Sequence, residues 1–85
     1  MIPIALIRRY AATVLEYMRV AEDIAGQIER GELRPGEKLP RETEMAERYL
    51  VSPGTIRRAW TELRERGLIE TAWGKGTFVK GPGGG

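Results

Sequence analysis

The segment from Val51 to Trp60 constrains the fold of this chain more than any other part of the sequence. The Ser52 hydroxyl can accept a hydrogen bond from a first-turn amide and Pro53 suits the first helical position, so this pair predicts a helix start. The apolar residues that follow recur at helical spacing and form one stripe: Ile56, Ala59, Trp60 and Leu63. The remaining helix surface is polar or basic: Thr55, Arg57, Arg58, Thr61 and Arg64. Because such a helix fits the major groove of DNA, we expect a recognition helix over residues 53–66.

The length and composition of the chain are typical of one small folded domain, with 85 residues of which 41% are hydrophobic and 31% charged. Cys and His are absent, which excludes a disulfide framework and removes the usual zinc ligands and the commonest general base. We therefore expect no catalytic residue, no metal and no cofactor, and the chain is not expected to be an enzyme. No apolar run reaches transmembrane length and residues 1–15 lack a signal-peptide cleavage site, so we expect a cytoplasmic protein without a membrane partner.

The net charge of +2 is too small to indicate a nucleic-acid partner, but its distribution along the chain is uneven. Residues 1–15 carry +2, residues 16–51 carry −3 and residues 52–85 carry +3. A positive C-terminal part suits a domain that presents this part to phosphates. An ordinary solvated surface explains the same charges, so the distribution alone leaves both interpretations open.

The order of the predicted elements is helix, helix, helix and β-hairpin. Gly31 ends the first helix, a Pro35-Gly36 turn lies in the connector after it, and Gly67 ends the third helix. The predicted helices cover residues 16–30, 41–49 and 53–66, and the predicted strands cover residues 68–72 and 77–80 around a turn at 73–76. This order predicts a mainly α fold, a winged helix-turn-helix with a three-helix core and a two-stranded wing. Trp60 is expected in the core, and Trp73 is expected to be core or partly core beneath the wing.

The first 16 residues have a helical composition from about Ile4 and form an N-terminal extension to the domain predicted over residues 17–80. Apolar residues recur at spacings of three and four across the boundary, which predicts either one long helix or two stacked ones: Ile7, Tyr10, Val14, Tyr17, Ala21, Ile24 and Ile28. The stripe either offers a seam to another protomer or packs inside the domain while residues 1–15 fray. Residues 81–85 form a Gly-rich tail that is expected to be flexible.

Four segments stand in a specific order and spacing: Gly31-x-Leu33-x-Pro35-Gly36-Glu37-x-Leu39-Pro40-x-Glu42, Val51-Ser52-x-x-Thr55-Ile56-Arg57-x-Ala59, Leu63-x-x-x-Gly67-Leu68-Ile69 and Gly74-x-Gly76-Thr77-Phe78-Val79. Together they resemble the DNA-binding domain of GntR-family transcription regulators, with features closest to the HutC-like or YtrA-like branches. The resemblance implies a bacterial repressor, or more rarely an activator, that binds a palindromic operator in double-stranded DNA as a homodimer. Members usually carry a C-terminal effector-binding or dimerisation domain. This chain ends soon after the wing, so we expect a stand-alone or trimmed regulator with no small-molecule effector site of its own.

Three residues depart from the pattern that the resemblance implies. Arg41 replaces the usual Ser, which removes a helix-capping hydroxyl but offers a group that can reach phosphate. Leu50 replaces the usual turn Gly and places a Cβ where a positive φ is expected. Pro53 replaces a base-reading Arg, which leaves base recognition to its neighbours.

The expected DNA-binding residues fall into three groups. Arg57 and Thr55 are expected to read bases, since Arg pairs bidentately with guanine O6 and N7. The alternative for Arg57 is a surface residue paired with Thr61 or Glu62. The expected phosphate-docking residues are Arg41, Thr43, Ser52, Pro53, Gly54, Arg58 and Arg64. The wing tip is expected to approach the minor groove through Gly74, Lys75 and Gly76.

Two functions from different classes remain open on the sequence. The first is sequence-specific binding of duplex DNA, which represses transcription by covering a promoter. The second is a winged-helix module that binds another protein and shows no specific or salt-sensitive binding to duplex DNA.

Overall fold

A computed structural model of the chain describes residues 1–81 and has the predicted order of elements. The helices are α1 (Ile4–Glu29), α2 (Glu42–Tyr49) and α3 (Pro53–Glu65), and the strands are β1 (Ile69–Ala72) and β2 (Gly76–Val79). The predicted winged helix-turn-helix is therefore confirmed. Residues 82–85, to which most of the expected flexible tail belongs, lie outside the described residues. None of the helices within residues 1–81 is long and apolar enough to cross a membrane.

The core lies where α3 packs across the second half of α1. The largest fully buried side chains come from both helices and from the second strand: Val20, Ile24, Ile56, Leu63 and Val79. Trp60 is 4% exposed and belongs to this core, as expected from the apolar stripe of α3. At the edge of the contact, Arg66 binds Glu22 of α1 and Glu62 of α3. The hydrogen bond that Arg66 donates to Glu22, followed by the one it donates to Glu62, raises the pKa of the Arg66 guanidinium above its ordinary value.

The first helix is continuous over 26 residues, so of the two arrangements left open by the sequence the structure has one long helix. Its last buried residue is Ile24, and Gly31 follows the helix with a φ of +77°. Residues 1–13 are all exposed and only its second half packs into the domain. The division of the chain at residue 16 remains a prediction, because no break in the helix marks it.

The second helix begins without a side-chain cap, because Arg41 at the N-cap makes no such hydrogen bond. Glu42 and Glu44 lie in its first turn, where carboxylates interact favourably with the helix dipole. The helix ends at Leu50, whose φ of 56° lies in the left-handed region. Leu50 therefore adopts the positive φ that the sequence predicts, a backbone conformation that is unfavourable for a residue with a Cβ.

The third helix begins as the sequence predicts, with Ser52 at the N-cap and Pro53 in the first turn. The Thr55 amide donates to Ser52 Oγ at 3.2 Å, and the Ser52 and Thr55 hydroxyls lie 3.0 Å apart. The prediction that Thr55 belongs to the exposed surface is wrong, since Thr55 is only 5% exposed. Four residues before Ala59, it lies at the margin of the buried stripe and faces the turn that precedes α3.

The wing is an antiparallel pair in which Ile69 faces Val79 and Ala72 faces Gly76. The predicted turn at 73–76 is one residue too long, because Gly76 already pairs as the first residue of β2. The connector after α1 adds a contact that the sequence did not reveal, a β-bridge between Lys38 and Phe78. Connector amides and carbonyls pair with β2, with Leu39 N donating to Thr77 O at 2.8 Å. This pairing fixes the wing to the body of the domain.

Candidate nucleic-acid interface

A groove of about 700 Å³ lies between the start of α2, the exposed side of α3 and the wing. Five basic side chains line it against a single acidic one, Glu42, so the lining carries a formal charge of +4: Lys38, Arg41, Arg57, Arg64 and Lys75. The whole chain carries only +2. The fold therefore concentrates positive charge at one surface, which draws on the connector and α2 as well as on the C-terminal part.

Arg57 projects from the middle of α3 into this groove, with a side chain that is 68% exposed. Its Nε donates to Glu42 Oε2 at 3.0 Å. The partner proposed from the sequence, Thr61 or Glu62, is thus wrong, because Glu42 comes from the preceding helix. An exposed pair of this kind adds little to stability. Its effect is to hold the Arg57 guanidinium beside Glu42 in the lining of the groove.

Arg64 lies two helical turns further along α3 than Arg57 and connects this helix to the wing. It donates to Thr71 Oγ1 at 3.1 Å on β1 and to Thr61 Oγ1 at 3.3 Å on α3. The Thr61 hydroxyl in turn donates to Arg57 O at 3.1 Å. These bonds orient Arg64 along the groove between α3 and the first strand.

Arg41 and Thr43 line the groove from the start of α2, and both are exposed. Arg41 occupies the N-cap position, so its long side chain leaves the helix at the groove edge. Thr43 has a short side chain and offers only its hydroxyl and methyl groups to a ligand that enters the groove.

The wing tip closes the other end of the groove with Gly74, Lys75 and Gly76. Gly76 has a φ of +126°, a backbone conformation that favours Gly, and a Cβ built there would lie 2.7 Å from Cε of the flexible Lys38 side chain. Gly74 has a φ of +76° and open space around it. The tip is consequently narrow, with Lys75 exposed beyond the last strand pair.

The expectation that Trp73 is core or partly core is wrong, since the residue is 95% exposed. Ala72 makes the last strand pair before the turn, so Trp73 lies beyond the sheet, where the domain has no surface for it to cover. Its indole lines the groove next to Lys75.

Seven of the twelve expected DNA-binding residues meet at the groove: Arg41, Thr43, Arg57, Arg64, Gly74, Lys75 and Gly76. The other five do not line it: Ser52, Pro53, Gly54, Thr55 and Arg58. The first three of these are exposed at the start of α3, whereas Thr55 is buried. The Arg58 guanidinium stacks over the Tyr17 ring with 4.7 Å to its centroid, on the side of α3 that faces α1. The roles of all twelve residues remain predictions.

Sequence reasoning missed Lys38, Glu42 and the exposure of Trp73. Glu42 stands in one of the four sequence segments, but no local pattern indicates that its carboxylate pairs with Arg57 of the next helix. The contact between α2 and α3 depends on the left-handed turn at Leu50, which sets the angle between the helices. Lys38 enters the groove because the connector pairs with β2, and no local sequence signal indicates that pairing.

The family model for gntR-family bacterial regulatory proteins matches residues 16–79. The chain belongs to this family. Among GntR relatives, the chain is 43% identical over 63 residues to the uncharacterized HTH-type transcriptional regulator YhcF of Bacillus subtilis. The aligned region covers 74% of this chain and 52% of YhcF. The chain is 33% identical over 63 residues to the HTH-type transcriptional repressor YtrA of Bacillus subtilis. The aligned region covers 74% of this chain and 48% of YtrA. The chain thus spans about half the length of these relatives.

A solved structure of a GntR-type domain shares the fold. The DNA-binding domain of AraR, solved in complex with operator ORR3, superposes with a TM-score of 0.71 at 39% identity and covers 75% of this chain and 77% of that one. The matched family and relatives are transcription regulators with DNA-binding domains and not enzymes. The protein-binding alternative receives no support from them.

Proposed function

We propose that this GntR domain binds a palindromic operator in double-stranded DNA as a homodimer and represses transcription by covering a promoter. The observation that carries the proposal is the groove, whose lining holds five basic residues and one acidic residue. Phosphate neutralisation by Lys and Arg supplies most of the non-specific affinity for DNA. The repressor name of YtrA and the operator complex of AraR support the same function for this chain. Such a regulator acts in the bacterial cytoplasm and joins the nucleoid when bound.

In this proposal the exposed side of α3 enters the major groove. The residues on that side share one orientation, opposite to the buried stripe: Gly54, Arg57, Thr61 and Arg64. Arg57 reads guanine, because its guanidinium is exposed and already oriented by Glu42. Thr55 takes no part in base reading, since it is buried beneath the start of the helix.

The remaining residues fix the domain on the DNA backbone. Arg41, Thr43 and Arg64 contact phosphates along the groove, and the exposed helix start at Ser52, Pro53 and Gly54 approaches the backbone closely. Arg58 reaches phosphate only if it leaves the Tyr17 ring. The wing tip lies at the minor groove, where Lys75 supplies charge and the glycines give clearance.

A titration of fluorescently labelled duplexes by anisotropy at two salt concentrations tests the proposal. A duplex selected from a random pool should bind more tightly than an unrelated one, and affinity for both should fall steeply with salt. Failure to select any sequence, together with salt-insensitive binding, would contradict the proposal and favour the protein-binding module.

Arg57→Ala tests the base-reading role. We expect about a fivefold to hundredfold loss of affinity for the selected duplex, with a much smaller loss for the unrelated duplex. Arg48→Ala is the matched control, because Arg48 is an exposed α2 arginine paired with Glu44 and does not line the groove. Equal losses of affinity for both duplexes would show that Arg57 contacts phosphate and does not read bases.

Intrinsic fluorescence tests the wing. The chain has two Trp residues, and Trp60 is buried whereas Trp73 is exposed at the wing tip. Binding of duplex should change the emission of the wild-type chain and leave that of Trp73→Phe almost unchanged. An equal change in both would place the DNA away from the wing.

A further inference from the structure

The first half of α1 carries most of the exposed large apolar side chains of the described chain. Seven of the nine lie within residues 1–15: Met1, Ile2, Ile4, Leu6, Ile7, Tyr10 and Leu15. We call residues 4–16 the arm. Large apolar patches on a soluble protein mark sites of interaction with another molecule.

The arm has no internal reason to be a stable helix. Pro3 at its N-cap makes no side-chain hydrogen bond, and the first turn contains no acidic residue. Helices of about 13 residues are marginal in water, and their stability in proteins comes mainly from the packing of an apolar side. The continuous helix therefore indicates a surface that packs against the arm.

The arm is amphipathic, and its apolar side continues the side of α1 that packs into the domain. Leu6, Ile7, Tyr10 and Val14 lie on this side and lead through Tyr17 to the buried Ala21 and Ile24. Ala5, Arg8, Ala12 and Leu15 lie on the opposite side. Arg9 and Glu16 lie along one margin of the apolar side, seven residues apart and so two helical turns from each other.

We propose that a second copy of this chain covers the arm, with the two arms paired antiparallel. A two-fold axis perpendicular to both helices brings the same margin of each arm together in reverse direction. With the axis midway between Arg9 and Glu16, each Arg9 meets Glu16 of the other copy, and this complementary pair occurs twice. None of the ion pairs within residues 1–81 uses either side chain.

The charges disfavour the other arrangements. A parallel pair would place the Arg9–Glu16 margins of the two arms on opposite sides of the pair, so neither residue would meet its complement. A membrane-surface helix carries many Lys and Arg residues on its polar side, whereas the basic residues of the arm are only Arg8 and Arg9 and it also carries Glu16. A second copy supplies an acidic partner for Arg9 and a basic partner for Glu16, whereas an anionic lipid surface would attract Arg9 and repel Glu16.

The proposed operator binding requires two copies of the domain, and the arm is the surface that would join them. It is tested without DNA, so that its failure leaves the DNA-binding proposal intact. Sedimentation equilibrium of the full chain over a concentration series should show a monomer–dimer equilibrium. A monomer at all concentrations would overturn the inference.

A pair of double variants tests the apolar side. Ile7→Gln with Tyr10→Gln should raise the dimer dissociation constant by about a hundredfold or more, since four large side chains leave the interface. Ala5→Gln with Ala12→Gln is the matched control, because it adds the same two side chains to the opposite side of the same helix. An equal effect of both pairs, or no effect of the first, would contradict the proposed surface.

A charge exchange tests the antiparallel alignment. Arg9→Glu and Glu16→Arg should each weaken the dimer by about tenfold, since each replaces two attractions with two repulsions. The chain carrying both substitutions should regain the wild-type dissociation constant within about threefold. Loss without recovery would exclude this alignment, because the two residues are too far apart to compensate each other within one helix.

Flotation with anionic phosphatidylserine vesicles separates the lipid alternative. We expect the chain to stay with the protein fraction. Flotation of the wild-type chain that is abolished by Ile7→Gln with Tyr10→Gln would overturn the inference in favour of a membrane surface.

Discussion

The two halves of α1 differ far more in their surroundings than in their residues. Residues 17–29 bury Val20, Ala21 and Ile24 against α3, whereas residues 4–16 contain more apolar residues and bury none. Helical periodicity is present in both. The comparison teaches that periodicity sets the side on which apolar residues lie, while burial depends on whether another element crosses that side.

Replacing one Ile in each half of α1 should give the largest difference in the free energy of unfolding. Ile24→Ala should lower the free energy of unfolding by about 2–5 kcal/mol, because Ile24 is fully buried and the substitution leaves a cavity. Ile7→Ala should change it by less than about 0.5 kcal/mol, because Ile7 is 51% exposed. Urea denaturation at a concentration where the chain is monomeric measures both values. Similar losses would mean that the arm packs onto its own domain.

The parts of the fold that sequence reasoning could predict are those fixed by local chemistry. The start of α3 at Ser52 and Pro53, the positive φ at Leu50 and the order of elements depend on residues close together in the chain. Apolar spacing also identified Trp60 as core. Each of these follows from a preference of the backbone or from one side of a single helix.

The parts that could not be predicted depend on how the elements lie relative to one another. Glu42 meets Arg57 because α2 and α3 are placed by the turn between them, and Lys38 enters the groove through pairing with β2. Trp73 is exposed because the sheet ends one residue earlier. For the candidate site, the sequence and the family resemblance together identified the recognition helix and wing, but wrongly placed Thr55 on the surface.

Substitutions at two helix N-caps, one at α3 and one at the start of α1, should change the free energy of unfolding by smaller amounts. Ser52→Ala should lower the free energy of unfolding by about 1 kcal/mol, because Ser52 Oγ accepts from the Thr55 amide at the start of a packed helix. Pro3→Ser gives the uncapped α1 a side-chain cap. It should raise the helical circular dichroism signal and leave global unfolding within about 0.5 kcal/mol of wild type, because the arm lies outside the cooperative core. A matching gain in global stability would contradict that separation.

The smallest expected effect is a loss of stability at alkaline pH, and it concerns the hydrogen bond between Tyr49 of α2 and Asp23 of α1. Burial, followed by the hydrogen bond that the Tyr49 hydroxyl donates to Asp23 Oδ2 at 2.6 Å, raises the pKa of Tyr49 to about 12 from an ordinary value of 10. The folded state thus holds the phenol proton more tightly than the unfolded state. Its contribution to stability is fully present below pH 10 and is lost as the pH rises through about 12.

Tyr49→Phe should remove this part of the pH dependence, which denaturation at neutral pH and between pH 10 and 12 measures against wild type. The difference between the two proteins should be greatest at neutral pH and shrink as wild-type Tyr49 loses its proton. Because the bond joins the packed half of α1 to α2, Ile7→Gln with Tyr10→Gln in the arm should leave the alkaline loss unchanged. A loss that disappears in this arm variant would show that the two halves of α1 unfold together.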